Sequence, residues 1–426
     1  FQTNMLLVHP PPNTDAIGWT HVVGSTVRCA SGGRSCLQPL RQHAARWIDS
    51  TGRLPLVKTV GSGVLASLAT LSLYKSGAFQ RKVGRGDRHG VAIACRAEDA
   101  ELEVLERDDP GRSAMRAEWT AKADIGFEAD SQLSGLVRVY CAPAGPSCPG
   151  GTWCRLRFND CTDQSVVLLR DSGQVVRTCL AFGYLKTLAV NGVCIASALG
   201  RERPWRVLII GAGSGALPTW FASQAQASVD AIELDPVVLE AASASMGLER
   251  DVIQDVRGAS NCAAHAAQAT HAAGCLRVYC CDGAEFVKAA AEGASGQYDV
   301  AILDVFDGKG QTPSIFTQAS FASALGKIAK SATANLTCPV PMWEDANEAN
   351  APEAGKLAKS WREGFGPSAG TWSVRVPEGQ NIVIGVTSVG TPPAEFLEKE
   401  ASLAAKQGIF AFDPLRRVSF HRRDWW

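Results

Sequence analysis

The sequence predicts an α/β chain with a doubly wound, mostly parallel sheet, a C-terminal antiparallel hairpin and, ahead of both, a small antiparallel β domain. Three observations predict it. Four apolar runs, "WRVLIIG", "VDAIELD", "LRVYCCDG" and "YDVAILDVF", alternate with helical stretches from residue 205 onward. The first of them stops at a glycine-rich turn, Gly211-Ala212-Gly213-Ser214-Gly215. Upstream, "LVRVYCA", "TWCRLRF" and "SVVLLRD" are short β-type runs divided by turn residues, the mark of an antiparallel sheet.

Taken in order, residues 1–95 are basic and poor in acids, with eleven Lys/Arg and three Asp in the first ninety. With their Ser and Gly content they read as a targeting segment. The uncharged run "TVGSGVLASLATLSLY", residues 59–74, is too short and too polar for a membrane span, so no stable membrane insertion is expected. Residues 96–133 are charged and read as a solvated connector. Residues 134–175 carry the small sheet, its runs separated by "PAGPSCPGG" and "NDCTDQ". Residues 176–390 form the main domain. There "LAFGYLKTLAVNGVCIASALG" is helical, "ALPTWFASQ" opens the helix after the first parallel strand, and "PVVLEAASASMG" is helical behind a proline suited to a first turn. "AEFVKAAAEG" follows the third strand, "ATANLTC" is a weak fifth strand, and "TWSVRV" and "NIVIGV" pair across "PEGQ". The Ala-rich segments 261–274 and 344–356 read as surface insertions without chemistry of their own, and 391–426 as a C-terminal extension.

Composition narrows the function. The 426 residues are 46% hydrophobic, ample for a core, and 42 Lys/Arg balance 42 Asp/Glu, so no electrostatic footprint for nucleic acid is present. Fourteen cysteines include no CxxC pair and no Cys/His ligand cluster, and the spacing of Cys141, Cys148, Cys154 and Cys161 is not that of a zinc site. No metal is expected. Reduced thiols suit an intracellular compartment: a plastid or another organelle if the leader is a transit peptide, the cytoplasm otherwise.

Ligands of an open parallel sheet sit beyond the carboxyl ends of its strands, so the residues that end the strands carry the chemistry. The turn at Gly211, Gly213 and Gly215 lets backbone approach a ligand and is expected to present free N–H groups at a helix N-terminus. The second strand ends at Glu233, placed to accept from ribose hydroxyls. The third ends in "CDGAEF", where Asp282, followed by Gly283, can accept from an adenine amino group. The fourth ends in "LDVFD", with Asp304 and Asp307. A dinucleotide accounts for the glycines and Glu233 but gives no reason for acids at the third and fourth strands. S-adenosylmethionine does, because it offers hydroxyls, amines and a sulfonium, nearly all donors or cations.

The runs "RVLIIGAGSGALPTWFA", "VDAIELDPVVLEAA", "RVYCCDGAEFV" and "YDVAILDVFD", with "RFNDCTDQSVVLL" and "LAFGYLKTL" upstream, resemble the spermidine-synthase-like branch of class I S-adenosylmethionine-dependent methyltransferases, and within it the methyltransferase-like 13 group. The resemblance spans roughly residues 135–390. It implies a Rossmann-like methyltransferase fold, S-adenosyl-L-methionine as cofactor, a protein or small-molecule amine as acceptor, and pairing into a homodimer. It also implies that Gln164 faces the cofactor. Asp304 is then the group that orients the amine, with Asp307 second and Tyr184 a wall of the pocket. Phe306 and Phe316 are candidates to pack on adenine or acceptor, or in the core. Aminopropyltransferases of this branch carry an acid in the glycine turn and a DEFxY motif, where this chain has Ser214 and Leu180-Ala181-Phe182-Gly183-Tyr184. Losing both acids of that motif removes the attraction for a dication. The spacing Asp304-x-x-Asp307 keeps aminopropyl transfer as one alternative, and the missing acid pair keeps a non-catalytic, cofactor-binding relative as another.

Overall fold

A computed structural model describes residues 123–423, except 145–147, 160–161, 201, 294–296, 308–310, 339, 341–349, 377–379, 393 and 419–420. All described residues belong to the unit His89–Trp426. The expected targeting segment 1–95 and the connector as far as residue 122 lie outside them.

Four strands, β1 (Asp124–Ser131), β2 (Gly135–Pro143), β3 (Thr152–Phe158) and β4 (Thr162–Leu169), pair in sequence order as an antiparallel sheet. β1 lies in the stretch read as connector. As an edge strand with most of its side chains exposed, it carries no apolar alternation by which a strand could be recognised. The next three strands match the three β-type runs.

The main sheet contains β5 (Arg206–Ile210), β6 (Ser228–Glu233), β7 (Leu276–Cys280), β8 (Val300–Leu303), β9 (Ser331–Thr337), β10 (Gly370–Arg375), β11 (Asn381–Thr387) and β12 (His421–Arg423). Their spatial order is β12-β10-β11-β9-β8-β5-β6-β7. β5 to β9 run parallel, and β11 enters antiparallel beside β9. From β5 the chain winds outward through β6 to β7, then returns to add β8 on the other side, so the strand order reverses between β5 and β8. That reversal opens the crevice in which open α/β sheets bind ligands.

Strand periodicity divides the core into two layers. Val207, Ile209, Val300 and Ile302 face α1 (Gly183–Ala198), which is itself covered by α8 (Ala394–Lys406). α1 is buried along nearly its whole length, as a helix without a polar face must be. Leu208, Ile210, Ala301 and Leu303 face the opposite layer, which includes α5 (Gly283–Gly293) and α6 (Ala319–Ile328). Two segments read as inert insertions belong to that layer. Residues 261–268 are the body of α4 (Ala259–Gln268), which buries Cys262, Ala263 and Ala266. Residues 352–356 open α7 (Pro352–Phe365), which buries Ala354, Leu357, Ala358 and Trp361; residues 344–349 lie outside the described ones. Alanine-rich composition here marks close helix packing, since a small side chain lets a helix approach its neighbour. The fifth strand, read as weak, is the fully formed β9, buried in six of its seven positions. Residues beyond 391, read as an extension, supply α8 and β12.

Two contacts hold the small sheet over the main one. Val139, Leu156 and Val167 pack on Ala216 of α2 (Ala216–Ser223) and on Val238 and Ala241 of α3 (Pro236–Ser245). At the turn between β1 and β2, Ser131 and Ser134 donate their hydroxyls to Asp235 Oδ2 at 2.5 and 2.6 Å. Asp235 Oδ1 meanwhile caps α3 through Val237 N–H at 2.9 Å. One buried carboxylate thus anchors a hairpin and a helix start. Asp235→Ala is expected to cost about 2–4 kcal/mol in urea unfolding, the loss of two charge-assisted hydrogen bonds and a cap; a loss below about 1 kcal/mol would remove the anchoring role.

Candidate functional site

At the carboxyl ends of β5, β6 and β8 lies a cavity of about 280 Å³, roofed by the small sheet through Leu133, Leu156, Phe158 and Gln164. Of the residues singled out from sequence, Gly211, Gly213, Glu233, Asp304, Asp307, Tyr184 and Gln164 line it. Gly215, Asp282 and Gly283 do not. Gly215 is the left-handed cap residue of α2, where an added Cβ would lie 2.8 Å from Leu248 Cδ1. Asp282 is exposed and caps α5, accepting from the N–H groups of Ala284 and Glu285 at 2.7 and 3.0 Å. The cavity therefore spans the part of the cleft between the Glu233 and Asp304 strand ends and stops short of the β7 end.

The glycine turn works by closeness. Gly211 has φ +93°, and a Cβ there would stand 2.1 Å from the backbone oxygen of Asp304. Four amides of the turn are paired within the protein. Gly211 and Ala212 both donate to Ile232 O, at 2.9 and 3.0 Å, and Gly215 donates to Ala212 O at 2.8 Å. Gly213 N–H donates to Glu233 Oε2 at 2.9 Å. The adjacent β6 supplies the acceptors for three of these four amides, through Ile232 O and the Glu233 carboxylate. Ser214 turns its hydroxyl to Ser165 of β4, 2.5 Å away, and so ties the roof to the turn.

Glu233 is half-buried and bridges two elements. Besides Gly213 it accepts from the amides of Leu234 and Asp235 at 3.0 and 3.1 Å. Burial pushes its carboxyl above the usual range, opposed by the same amides.

The opposite wall is built on Asp304, where β8 ends. Its backbone N–H donates to Ile210 O at 2.9 Å, holding the β5 and β8 ends together. Its Oδ1 accepts from Asn335 Nδ2 on β9 at 3.0 Å, and Asn335 Oδ1 accepts from Asn381 Nδ2 on β11 at 3.0 Å. The Asn381 contact fixes which way the Asn335 amide points, so that its NH₂ and not its oxygen meets the carboxylate. Burial raises the Asp304 carboxyl to about 6, against the downward pull of Asn335. Tyr184 lines the same wall, stacked on Phe182 with ring centroids 5.3 Å apart. Its hydroxyl reaches the Gln164 carbonyl at 3.5 Å, and burial together with the charges of Asp304 and Asp163 keeps it protonated. Asp307 closes the following loop, exchanging hydrogen bonds with Gln311 through its backbone N–H at 2.8 Å and its carboxylate at 2.9 Å.

Phe306 lines the cavity, whereas Phe316 is buried edge-on against Phe321 and belongs to the core. Leu180 and Ala181 are also buried, 1% and 9% exposed, in two apolar clusters. Sequence reasoning missed Asp235, the Ser165–Ser214 contact and the Asn381–Asn335 relay. The signal for the relay was a pair of asparagines on two strands otherwise built from apolar and small residues. Among the described residues no group of His, Cys, Asp and Glu is placed to hold a metal, and no helix is long and apolar enough to cross a membrane.

No protein-family model matches the chain, and no curated protein does. Among solved structures it is similar to a probable spermidine synthase from Corynebacterium glutamicum ATCC 13032, at 15% identity and TM-score 0.44, covering 65% of this chain and 87% of that one. It is similar to human methyltransferase-like protein 13 in complex with SAH, at 18% identity and TM-score 0.40, covering 54% and 92%. It is also similar to spermidine synthase from Thermotoga maritima, at 15% identity and TM-score 0.39, covering 70% and 83%.

Two outcomes test the Asp304 wall. Asn335→Leu removes the donor that favours the carboxylate, so carboxyl NMR should place the Asp304 midpoint above that of the unaltered chain; an unchanged midpoint would break the relay. The native carboxyl also holds its proton more tightly than an ordinary one at 3.8. Its contribution to stability is present below that value and is lost as pH rises through about 6. Asp304→Asn should abolish this part of the pH dependence of unfolding.

Proposed function

We propose that the chain is an S-adenosylmethionine-dependent methyltransferase acting on an amine of a protein or a small molecule. The observation that carries the reading is the composition of the cavity wall. The glycine turn allows backbone-close approach but has spent the amides of Gly211, Ala212, Gly213 and Gly215 internally, while Glu233, Asp304 and Asp307 face the same space. A pyrophosphate would face the carboxylates of Glu233, Asp304 and Asp307 across the cavity. The hydroxyls, ammonium and sulfonium of S-adenosylmethionine meet acceptors there.

In this reading Glu233 accepts from ribose hydroxyls, and the Gly211–Gly213 backbone lies against the amino-acid portion. The cofactor supplies a methyl group on a positively charged sulfur, already a strong electrophile. What remains for the protein is to align the acceptor and exclude water. Asp304, tethered by Asn335, accepts a hydrogen bond from the amine and balances the positive charge that grows on its nitrogen as the C–N bond forms. Tyr184 and Phe306 close the pocket around that nitrogen. Leu133 and Leu234 line the cavity while 57% and 49% exposed, an apolar mouth that suits an acceptor carrying its own apolar surface. The positions of the two acids in a polyamine-binding motif are held by buried Leu180 and Ala181, which offer a second ammonium no partner.

Calorimetric titration of the full chain with S-adenosylmethionine and with its decarboxylated form tests the reading. The intact cofactor should bind more tightly, and Glu233→Ala should weaken it by about ten- to hundredfold, the worth of one or two charge-assisted hydrogen bonds. Preference for the decarboxylated form would establish aminopropyl transfer instead, and binding of neither would overturn both. Once an acceptor is in hand, kcat/KM should rise with pH through about 6 as Asp304 ionises, and Asp304→Asn should flatten that limb while lowering kcat.

A further inference from the structure

Cys141 on β2 and Cys154 on β3 are cross-strand partners, and their Sγ atoms lie 3.0 Å apart. The ladder fixes what kind of pair they are. Ala144 N–H donates to Gly151 O at 2.9 Å, and Asn159 N–H to Leu136 O at 2.8 Å, so the opposed pairs 144/151 and 136/159 are hydrogen-bonded ones. Pairs alternate along an antiparallel ladder, which makes Cys141 opposite Cys154 a non-hydrogen-bonded pair, with Cα atoms about 4.5 Å apart and side chains at their closest. That separation falls inside the range of about 4.4–6.8 Å that a disulfide bridges. Closing the bond needs a sulfur movement of about 1 Å and no strand displacement.

The two thiols differ in a way that suits sequential chemistry. Cys154 is 1% exposed, in the apolar cluster with Val139, Leu156 and Val167. Cys141 is half-buried, at the edge of the same cluster. Its Sγ lies under Gly126, where a Cβ would come within 2.9 Å, so the overlying strand leaves room for it. The contact between the sulfurs also polarises them. Either sulfur can donate in this contact; with the proton held on the more deeply buried Cys154, the contact favours the Cys141 thiolate, while burial keeps Cys154 protonated.

We propose that Cys141 and Cys154 are a redox-active pair, oxidised to a disulfide by small-molecule disulfides, with Cys141 as the attacking sulfur and Cys154 as the resolving one. The Cys141 thiolate attacks one sulfur of the reagent, its S–S bond breaks, and the departing thiolate takes up a proton. Cys154 then gives up its proton and attacks Cys141 Sγ, expelling the second reagent thiolate, which leaves as the thiol. Two cysteine thiols are oxidised by two electrons, and one reagent disulfide is reduced to two thiols. The new bond staples β2 to β3 in the sheet that roofs the cavity. None of this depends on the transfer reaction assigned above.

The test uses the full chain, reduced, exposed to glutathione disulfide, blocked with iodoacetamide and mapped by peptide mass spectrometry, because fourteen cysteines require a site-resolved readout. The expected product is a Cys141–Cys154 disulfide. Cys154→Ser should stop at a glutathione adduct on Cys141, and Cys141→Ser should leave Cys154 unmodified. In the reduced, unaltered chain, iodoacetamide should label Cys141 at least about tenfold faster than Cys154, as thiolate character and exposure require. Finding both thiols free after oxidation, Cys141 joined to another cysteine, or equal labelling rates overturns the proposal. The labelling comparison needs no variant, so it decides the matter even where a substitution disturbs folding.

Discussion

The β5 and β8 strand ends approach so closely that a single methyl group at Gly211 would stand 2.1 Å from the Asp304 carbonyl oxygen. The floor of the site depends on that approach. It places the Ile210–Asp304 backbone hydrogen bond at the floor of the crevice and brings a carboxylate from β8 opposite one from β6. It also forces a left-handed turn, from which Gly213 can reach back to Glu233. A side chain at Gly211 would separate the strands where the topology reverses, and the crevice would lose its floor before it lost any functional group.

Collecting acids around one crevice creates an electrostatic problem, and each acid is stabilised by a different partner. Glu233 draws on three backbone amides. Asp235 draws on two serine hydroxyls and a helix cap, and Asp163 on Arg155 and Arg157, at 3.0 and 2.6 Å. Asp304 has one neutral amide, and its carboxyl is raised to about 6. The strongest support goes to acids that hold the architecture together. The weakest goes to Asp304 on the β8 wall of the cavity, which leaves that group the most to gain from a cationic partner, since an opposite charge favours the ionised form.

How much of this could be read from the sequence depends on the range of the interaction. The parallel strands were legible because burial on both faces writes an unbroken apolar run, as in "RVLIIG". The carboxylates at their ends were legible because the topology dictates where strand ends point. β1 was not, because an exposed edge strand has no pattern to show. α4 and α7 were misread because alanine, taken for low complexity, is what tight helix packing selects. The internal pairing of the glycine-turn amides was hidden for another reason: it depends on how far Ile232 and Glu233 project beside the turn, which no spacing along the chain encodes.

The small sheet shows how non-local contacts convert an ordinary fold into a particular site. Its side chains form no part of the parallel sheet, yet they roof the cavity, and Ser165 and Asp235 lock it to the glycine turn and to α3. Both locks are short hydrogen bonds on buried groups, Ser165, Ser214 and Asp235, and the apolar cluster of Leu156, Ala216 and Val238 lies beside them. A buried polar group left without its partner is costly, while the apolar contacts are non-directional. The sheet is therefore held in place by its core contacts and set in register by its polar ones. That division lets the roof fix the shape of the cavity without adding charge to a wall already crowded with acids.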